Sequence, residues 1–375
     1  MFIKKASSST RIKRNEKINQ TPSPEAVSIE NSQLKIATFN LFNYLEPPNA
    51  YYEFERIYSS EQWAKKQKWV TDYLRDFQPD IIGFQEVFSP ESLKILVAAQ
   101  GYAYFEVVDQ PQVIDDFIYR SPVVAIASRY PIVEVAAVKA NTELAQILGL
   151  THNFSFSRKV LRATVNAPHI GNCDCYVVHF KSKRSMIELD EQDKSHSAEK
   201  MIIESLKANV AGGWGSTIQR GSEATLLMID MIERREATQY PMVLMGDFNN
   251  TLTDGVLSHL LTNTLRFVSA IDRDAYLAKY CLNDAWDLFK TVLTNEESEE
   301  NKEMVARTPT HYFGASSSVL DYILLSCEFD ASYHDSFYQV IDYHTYDRHL
   351  INPIFERDGE STDHGIILVT LSLRS

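Results

Sequence analysis

No stretch of about 18 or more apolar residues occurs in the 375-residue chain, so no bilayer-spanning helix is expected. The opening MFIKKASSST lacks the apolar core and small-residue cleavage site of a secretory signal, which points to a cytoplasmic address. Its Ser and Arg content would also suit an organelle transit peptide, but an amphipathic face is missing. Cysteine is scarce. Cys173, Cys175, Cys281 and Cys327, with no Cys-x-x-Cys pair, exclude a disulfide framework and read as reduced core residues. Cys173 and Cys175 alternate along an expected strand and would share a face with His179, which leaves a soft-metal site open beside the simpler reading of buried thiols. Positive charge is short as well. A net charge of −13 excludes broad attraction to nucleic acid or anionic membrane, so a polyanionic substrate would need a local basic patch or a bound cation.

What the chain does have is 44% apolar residues spread along its length, enough for a substantial core. Length alone is compatible with one large domain or two modest ones. Residues 1 to about 33 carry Lys4, Lys5, Arg11, Lys13, Arg14 and Lys17 among Ser, Thr and Pro, and read as a disordered basic tail. Order is expected from LKIATFNLF, followed by a helix that starts at the capping-box pair Ser59 and Gln62, runs on a stripe from Trp63 to Phe77 and stops at Pro79. Further strands are expected at Asp80 to Phe84, Val123 to Ala127, Val160 to Val165, Cys175 to Phe180, Met242 to Met245, Val319 to Leu325 and Ile366 to Leu371. Helices fit at Pro90 to Ala99, roughly Met186 to Asn209, Thr217 to Arg235 and Gly255 to Leu261, giving α/β layers. The segment Lys181 to Arg220, with its Gly-Gly-Trp-Gly at 212–215, fits either a lid on a glycine hinge or a surface helical hairpin. Asn295 to Glu303 reads as a solvated acidic loop.

Residues suited to phosphate chemistry stand just after apolar strands, where loops leave the sheet and where open α/β folds bind ligands. Gly246-Asp247-Phe248-Asn249 offers an acid to orient water or a cation and an amide to hold an oxygen. Gln85-Glu86 offers the lone strand-end carboxylate that Mg²⁺ tolerates, and Thr38-Phe39-Asn40 a carboxamide. Taken alone, Asp247-Phe248-Asn249 reads equally well as a turn, Glu86 reads as a solvent-facing acid and Asn40 as a turn former. His179, inside an apolar run, is followed by Lys181, Lys183 and Arg184, a cluster that suits a phosphate. Asp321 sits within an apolar strand, a costly position without a partner, and Asp363-His364 can supply one.

Taken in order, Thr-Phe-Asn40, Gln-Glu86, Val-His179, Gly-Asp247-Phe-Asn249 with Leu-Asp321-Tyr-Ile-Leu, and Asp363-His364 resemble the motifs of the endonuclease/exonuclease/phosphatase superfamily, the deoxyribonuclease I-like fold. The segment Ser121 to Pro131 and the run Arg220-Gly-Ser-Glu-Ala fit the same resemblance, which covers about residues 34 to 373. It implies a single α/β domain over 34–375, a four-layer sandwich of two mixed β-sheets packed face to face with helices on both outer faces. It further implies at least one Mg²⁺ or Mn²⁺ on Glu86, with Asn40 and Asp363 nearby, and Asp247 aligning the water. Asn249 and His179 would then hold phosphoryl oxygens, and His364, held by Asp321, would act as general base or transition-state stabiliser. The acid that abasic-site endonucleases carry two places after the Asn is Phe42 here, and two histidines bring the pattern closer to deoxyribonuclease I and sphingomyelinase types. The resulting expectation is a monomeric phosphodiester hydrolase acting on DNA or RNA, with Arg158, Lys181, Lys183 and Arg184, and also Lys159 and Arg162, flanking the site. The alternatives are a phosphatase or a sphingomyelinase-like lipid phosphodiesterase, and a catalytically silent binding module.

Overall fold

The computed structural model describes residues 33–187, 197–263, 273–296 and 306–374. The expected basic tail lies, apart from Gln33, outside the described residues, as does the acidic stretch beyond Glu296.

Twelve strands form two six-stranded sheets. In chain order they are β1 (Gln33–Tyr44), β2 (Ile81–Val87), β3 (Tyr104–Val107), β4 (Val123–Ser128), β5 (Ile132–Ala137) and β6 (Leu161–Ala167). The second half of the chain adds β7 (Gly171–His179), β8 (Met242–Asp247), β9 (Asn283–Asp284), β10 (Asp321–Leu325), β11 (Tyr338–Tyr346) and β12 (Ile366–Leu373). One sheet runs β11-β12-β1-β2-β4-β3 and the other β9-β10-β8-β7-β6-β5. Both are mixed: β1 with β2 and β7 with β8 pair parallel, while β2 with β4 and β8 with β10 pair antiparallel.

The alternation of side chains makes each central strand apolar on two faces and so builds three cores. Ile36, Ile81, Ile126, Val177, Met245, Ile323 and Val369 meet between the sheets. Gly83 leaves room between them for the opposite sheet: a Cβ there would stand 2.9 Å from Met245 Sδ and 3.1 Å from Val177 Cγ1. Outside the first sheet, Phe39, Phe84 and Leu368 pack under α1 (Ser60–Phe77) and α2 (Pro90–Ala99), whose Trp69, Tyr73, Leu74 and Leu93 face inward. Outside the second, Tyr176, Val178 and Leu244 meet Ala224, Leu227 and Met231 of α3 (Ala198–Thr238). The order helix, sheet, sheet, helix is the four-layer sandwich expected. The capping box at Ser59 and Gln62 is present, and α1 ends before Pro79 with Gln78 in the left-handed region.

Several sequence expectations need correction. The helices placed at Met186 to Asn209 and Thr217 to Arg235 are parts of one helix of 41 residues, with Met186 and Ile187 outside it. The glycines at 212–215 lie inside that helix rather than at a hinge. Gly212 makes a groove: a Cβ on it would stand 1.9 Å from Ser185 Oγ and 2.8 Å from the Ile187 nitrogen, because 185–187 lies against the helix there. Ser185 Oγ donates to Ala208 O at 3.1 Å, and Met186 N donates to Gly212 O at 3.2 Å. From Gly255 to Leu261 only Ser258–Leu261 forms a single 3-10 turn. Asn295 and Glu296 end a helix, α4 (Ala285–Glu296), that pattern reading missed. It also missed β11, where a bulge between Val340 and Asp342 breaks the two-residue alternation that marks a strand. No described helix is long and apolar enough to cross a membrane. The cysteines are buried and free; Cys173 and Cys175 belong to the inter-sheet core, where the neighbouring thiol and burial hold Cys173 far above the usual range.

Candidate active site

Strand register brings the chemistry together. Parallel pairing sets His179 opposite Asp247 at the ends of β7 and β8, and antiparallel pairing sets Asp247 opposite Asp321 on β10. In the other sheet β1 and β2 pair Asn40 with Gln85, next to Glu86. Thr362 just before β12 donates its hydroxyl to Asn40 O at 2.6 Å and accepts from His364 N at 3.1 Å, which ties Asp363 and His364 to β1 at Asn40.

Asp247 Oδ2 is the centre of the group. Asn40 Nδ2 donates to it at 3.2 Å and Asn249 Nδ2 at 3.3 Å; His179 Nε2 lies at 3.4 Å and His364 Nε2 at 3.9 Å. Asp247 Oδ1 accepts from Asn249 N at 2.8 Å. That turn requires Gly246, since at its φ of +148° a Cβ would fall 2.0 Å from Val178 O on the neighbouring strand. Asn249 itself adopts φ 52°, a conformation asparagine tolerates better than most residues. Burial pushes the Asp247 carboxyl up to about 7, restrained by His364 and reinforced by Asp321.

Behind His364, Asp321 Oδ2 meets Nδ1 at 2.8 Å, and both side chains are buried. Burial alone would discharge the imidazole, but the carboxylates of Asp321 and Asp247 hold it well above the ordinary histidine value. His179 shows the reverse. Its Nδ1 is buried without a partner, and burial followed by Arg158 holds it well below the ordinary value, as a neutral ring.

Glu86 and Asp363 form a second acidic group. Glu86 occupies the left-handed region at φ 59°, a strained setting for a glutamate, and its Oε2 accepts from Asn43 N at 3.0 Å. Burial and then the charge of Asp363 raise its pKa. Asp363 Oδ1 is buried without a partner. Two carboxylates that repel one another, one with an orphaned oxygen, fit a hard divalent cation. Asn40 Oδ1 accepts from Phe42 N at 3.0 Å and keeps a second lone pair for such an ion.

The expected basic flank is present in part. Arg158 Nη1 lies 3.5 Å from Phe180 O while its Nε is buried without a partner, and its charge acts on His179 and Glu86. Lys181 spends its ammonium on the carbonyl oxygens of Ser182 and Arg184 at 3.4 and 3.2 Å, whereas Lys183 and Arg184 are exposed. Lys159 and Arg162 spend their charge elsewhere: Asp109 takes the first at 2.7 Å and Glu134 the second.

Sequence reasoning missed His311 and Lys66, and it marked Arg220 and Glu223 only as part of a familiar run, without a role. His311 bridges to His364 in an isolated β-pair, and its ring, with Asp363 and His364, offers ligand atoms within 4.8 Å of one another. No motif marks it. Glu223 and Arg220 of α3 pin the loop after His179, Glu223 through the amides of Lys181 and Ser157 at 2.8 and 2.6 Å, and Arg220 through Lys181 O at 2.9 Å. Lys66 is buried on α1; its signal was a lysine three residues after Trp63 and three before Trp69, on the apolar stripe.

Two packed six-stranded sheets, covered by helices and with this cluster of carboxylates and imidazoles at their strand ends, are the deoxyribonuclease I-like fold, whose family members are hydrolases acting on phosphate esters. The chain belongs to the endonuclease/exonuclease/phosphatase family, whose model matches residues 37–334. Among solved structures it is similar to the human Nocturnin catalytic domain with bound sulfate, at TM-score 0.53 and 15% identity over 91% of this chain and 95% of that one. It is also similar to D. rerio TDP2 complexed with a single-strand DNA product, at TM-score 0.50 and 14% identity over 91% and 99% of the two chains. A conserved protein of unknown function from Enterococcus faecalis gives TM-score 0.50 and 15% identity over 91% and 100%. No curated protein matches.

Proposed function

We propose that the protein is a Mg²⁺- or Mn²⁺-dependent phosphodiester hydrolase acting on nucleic acid. The observation that carries this is the single oxygen, Asp247 Oδ2, on which Asn40, Asn249, His179 and His364 converge. A buried carboxylate so placed can orient a water for in-line attack, while the amide of Asn249 and the neutral imidazole of His179 donate to phosphoryl oxygens. The His364 imidazolium, held by Asp321, stabilises the negative charge that grows on the phosphoryl group. Glu86, Asp363 and Asn40 would hold the cation, which when bound supplies charge neutralisation at the phosphate. Lys183, Arg184 and Arg158 supply the local positive charge that a chain of net charge −13 otherwise lacks. The solved relative that carries a single-strand DNA product makes a single strand the first substrate to try.

One observation favours a second reading, a sphingomyelinase-like lipid phosphodiesterase. The first half of α3 exposes Ile202, Leu206, Val210, Trp214 and Ile218, between 43% and 68% accessible, in one i, i+4 row. The segment 181–220, whose described parts carry the basic cluster and this row, is proposed to shape substrate access as a lid.

A screen of single-stranded DNA, duplex DNA, RNA, phosphomonoesters and sphingomyelin with Mg²⁺ or Mn²⁺ separates the readings. Cleavage of the single strand, abolished by EDTA and by Asp247→Asn, is the expected result. Release of inorganic phosphate from monoesters alone overturns the nuclease assignment, phosphocholine release selects the lipid reading, and an Asp247→Asn variant as active as the parent overturns the hydrolase assignment.

A further inference from the structure

Lys66 is 2% exposed, yet none of the roles above uses it. Its ammonium lies 3.3 Å from Ser361 O, two residues before Asp363, and 5.8 Å from the ring of Phe42, two residues after Asn40. Tyr58 adds a second ring face at 5.5 Å. Lys66 therefore stands beside the strand that carries Asn40 and the loop that carries Asp363, and its charge acts on Asp363, Glu360 and Glu86. A lysine buried this deeply is costly unless something opposite compensates it. Here the compensation comes from Asp363, Glu360 and Glu86, of which Asp363 and Glu86 are proposed to hold the cation.

We infer that Lys66 is a resident positive charge that limits the Glu86 and Asp363 pair to one divalent cation and leaves the loaded pair ready for a phosphodiester anion. The inference rests on the metal-site reading given above. Two carboxylates alone offer charge −2, which one divalent ion only neutralises; with Lys66 they offer −1, and the loaded group carries a net positive charge. Repulsion between Lys66 and a cation also makes ion binding weaker than two bare carboxylates would give and disfavours a second ion. The same positive excess attracts the single negative charge of a diester and gives no such attraction for an uncharged substrate. Lys66 acts through the ligands and is a positioning residue. Burial pulls its ammonium down to about 8 against the upward pull of Asp363, Glu360 and Glu86, so it remains charged in mildly acidic buffer.

The test is Mn²⁺ binding to the purified protein at about pH 6.5, well below that value, followed by calorimetry and by Mn²⁺ electron paramagnetic resonance. Lys66→Met keeps the length and loses the charge, Lys66→Arg keeps the charge, and Glu86→Gln tests the site itself. The parent should bind one ion; Lys66→Met should bind at least about tenfold tighter or take up a second ion, and Lys66→Arg should restore parental behaviour. In activity, Lys66→Met should raise KM for a diester more than it lowers kcat. A lysine serving only to pack the helix would give the opposite sign, weaker Mn²⁺ binding in step with a lower unfolding temperature. Weaker or unchanged binding in Lys66→Met, with Glu86→Gln abolishing it, overturns the role of Lys66 alone. Parental binding in Glu86→Gln overturns the metal-site reading and this inference with it.

Discussion

His179 at the end of β7 and His364 just before β12 approach the same oxygen of Asp247, and they differ in what stands behind them. On the His364 side, Asp321 receives Nδ1 at 2.8 Å and the ring is held as the cation. On the His179 side, Nδ1 has no partner, Arg158 adds repulsion, and the ring is held neutral. The role of a histidine is thus set by the partner of its far nitrogen more than by the group it faces. One side offers a full positive charge to a phosphoryl group; the other offers one uncharged hydrogen bond.

If that division is right, loss of the two rings is unequal. His364→Ala should lower kcat/KM by about 10³-fold, within the range of a lost charged acid–base group. Asp321→Asn should cost about 10²-fold alone and almost nothing further in the His364→Ala background, because the pair acts as a unit. His179→Ala should cost about tenfold, the value of one neutral hydrogen bond, and should add fully to Asp321→Asn. Steady-state kinetics of the three single and two double variants measure all of this. Equal losses for the two histidines would break the comparison.

None of this asymmetry could be read from the chain alone, although its parts could. The apolar runs ending in Asn40, Glu86, His179 and Asp247 marked the strands correctly, because a strand covered on both faces leaves a continuous apolar signature. The Asp321 partnership was also legible, since an acid within such a run demands a counter-charge. Protonation was not legible, because it depends on distances between strands far apart in sequence. His311 stayed hidden for the same reason, reaching the site only through its bridge to His364. Along α3 the pattern failed where packing changes: the second half buries Ala224, Leu227 and Met231 on the sheet, while the first half leaves its apolar row exposed. A face that packs on nothing gives the same periodicity as one that packs on a core, and the glycines suggested a hinge where Gly212 makes a groove.

The smallest effect gives the sharpest test of the comparison, because it is read in stability and needs no substrate. Replacing His364 with Leu leaves the Asp321 carboxylate buried without its imidazole, and breaking a buried pair from one side costs about 3 kcal/mol. Replacing His179 with Leu removes a ring whose Nδ1 is already unpartnered and whose neutral form carries no charge into the interior. The polar contact given up there is the 3.4 Å approach to Asp247, which Asn40 and Asn249 continue to satisfy. His179→Leu should therefore lie within about 1 kcal/mol of the parent in urea unfolding of the metal-free protein. A His179→Leu variant destabilised as much as His364→Leu would show that His179 is charged in the folded protein and paired to Asp247, and the two sides of the site would then be equivalent.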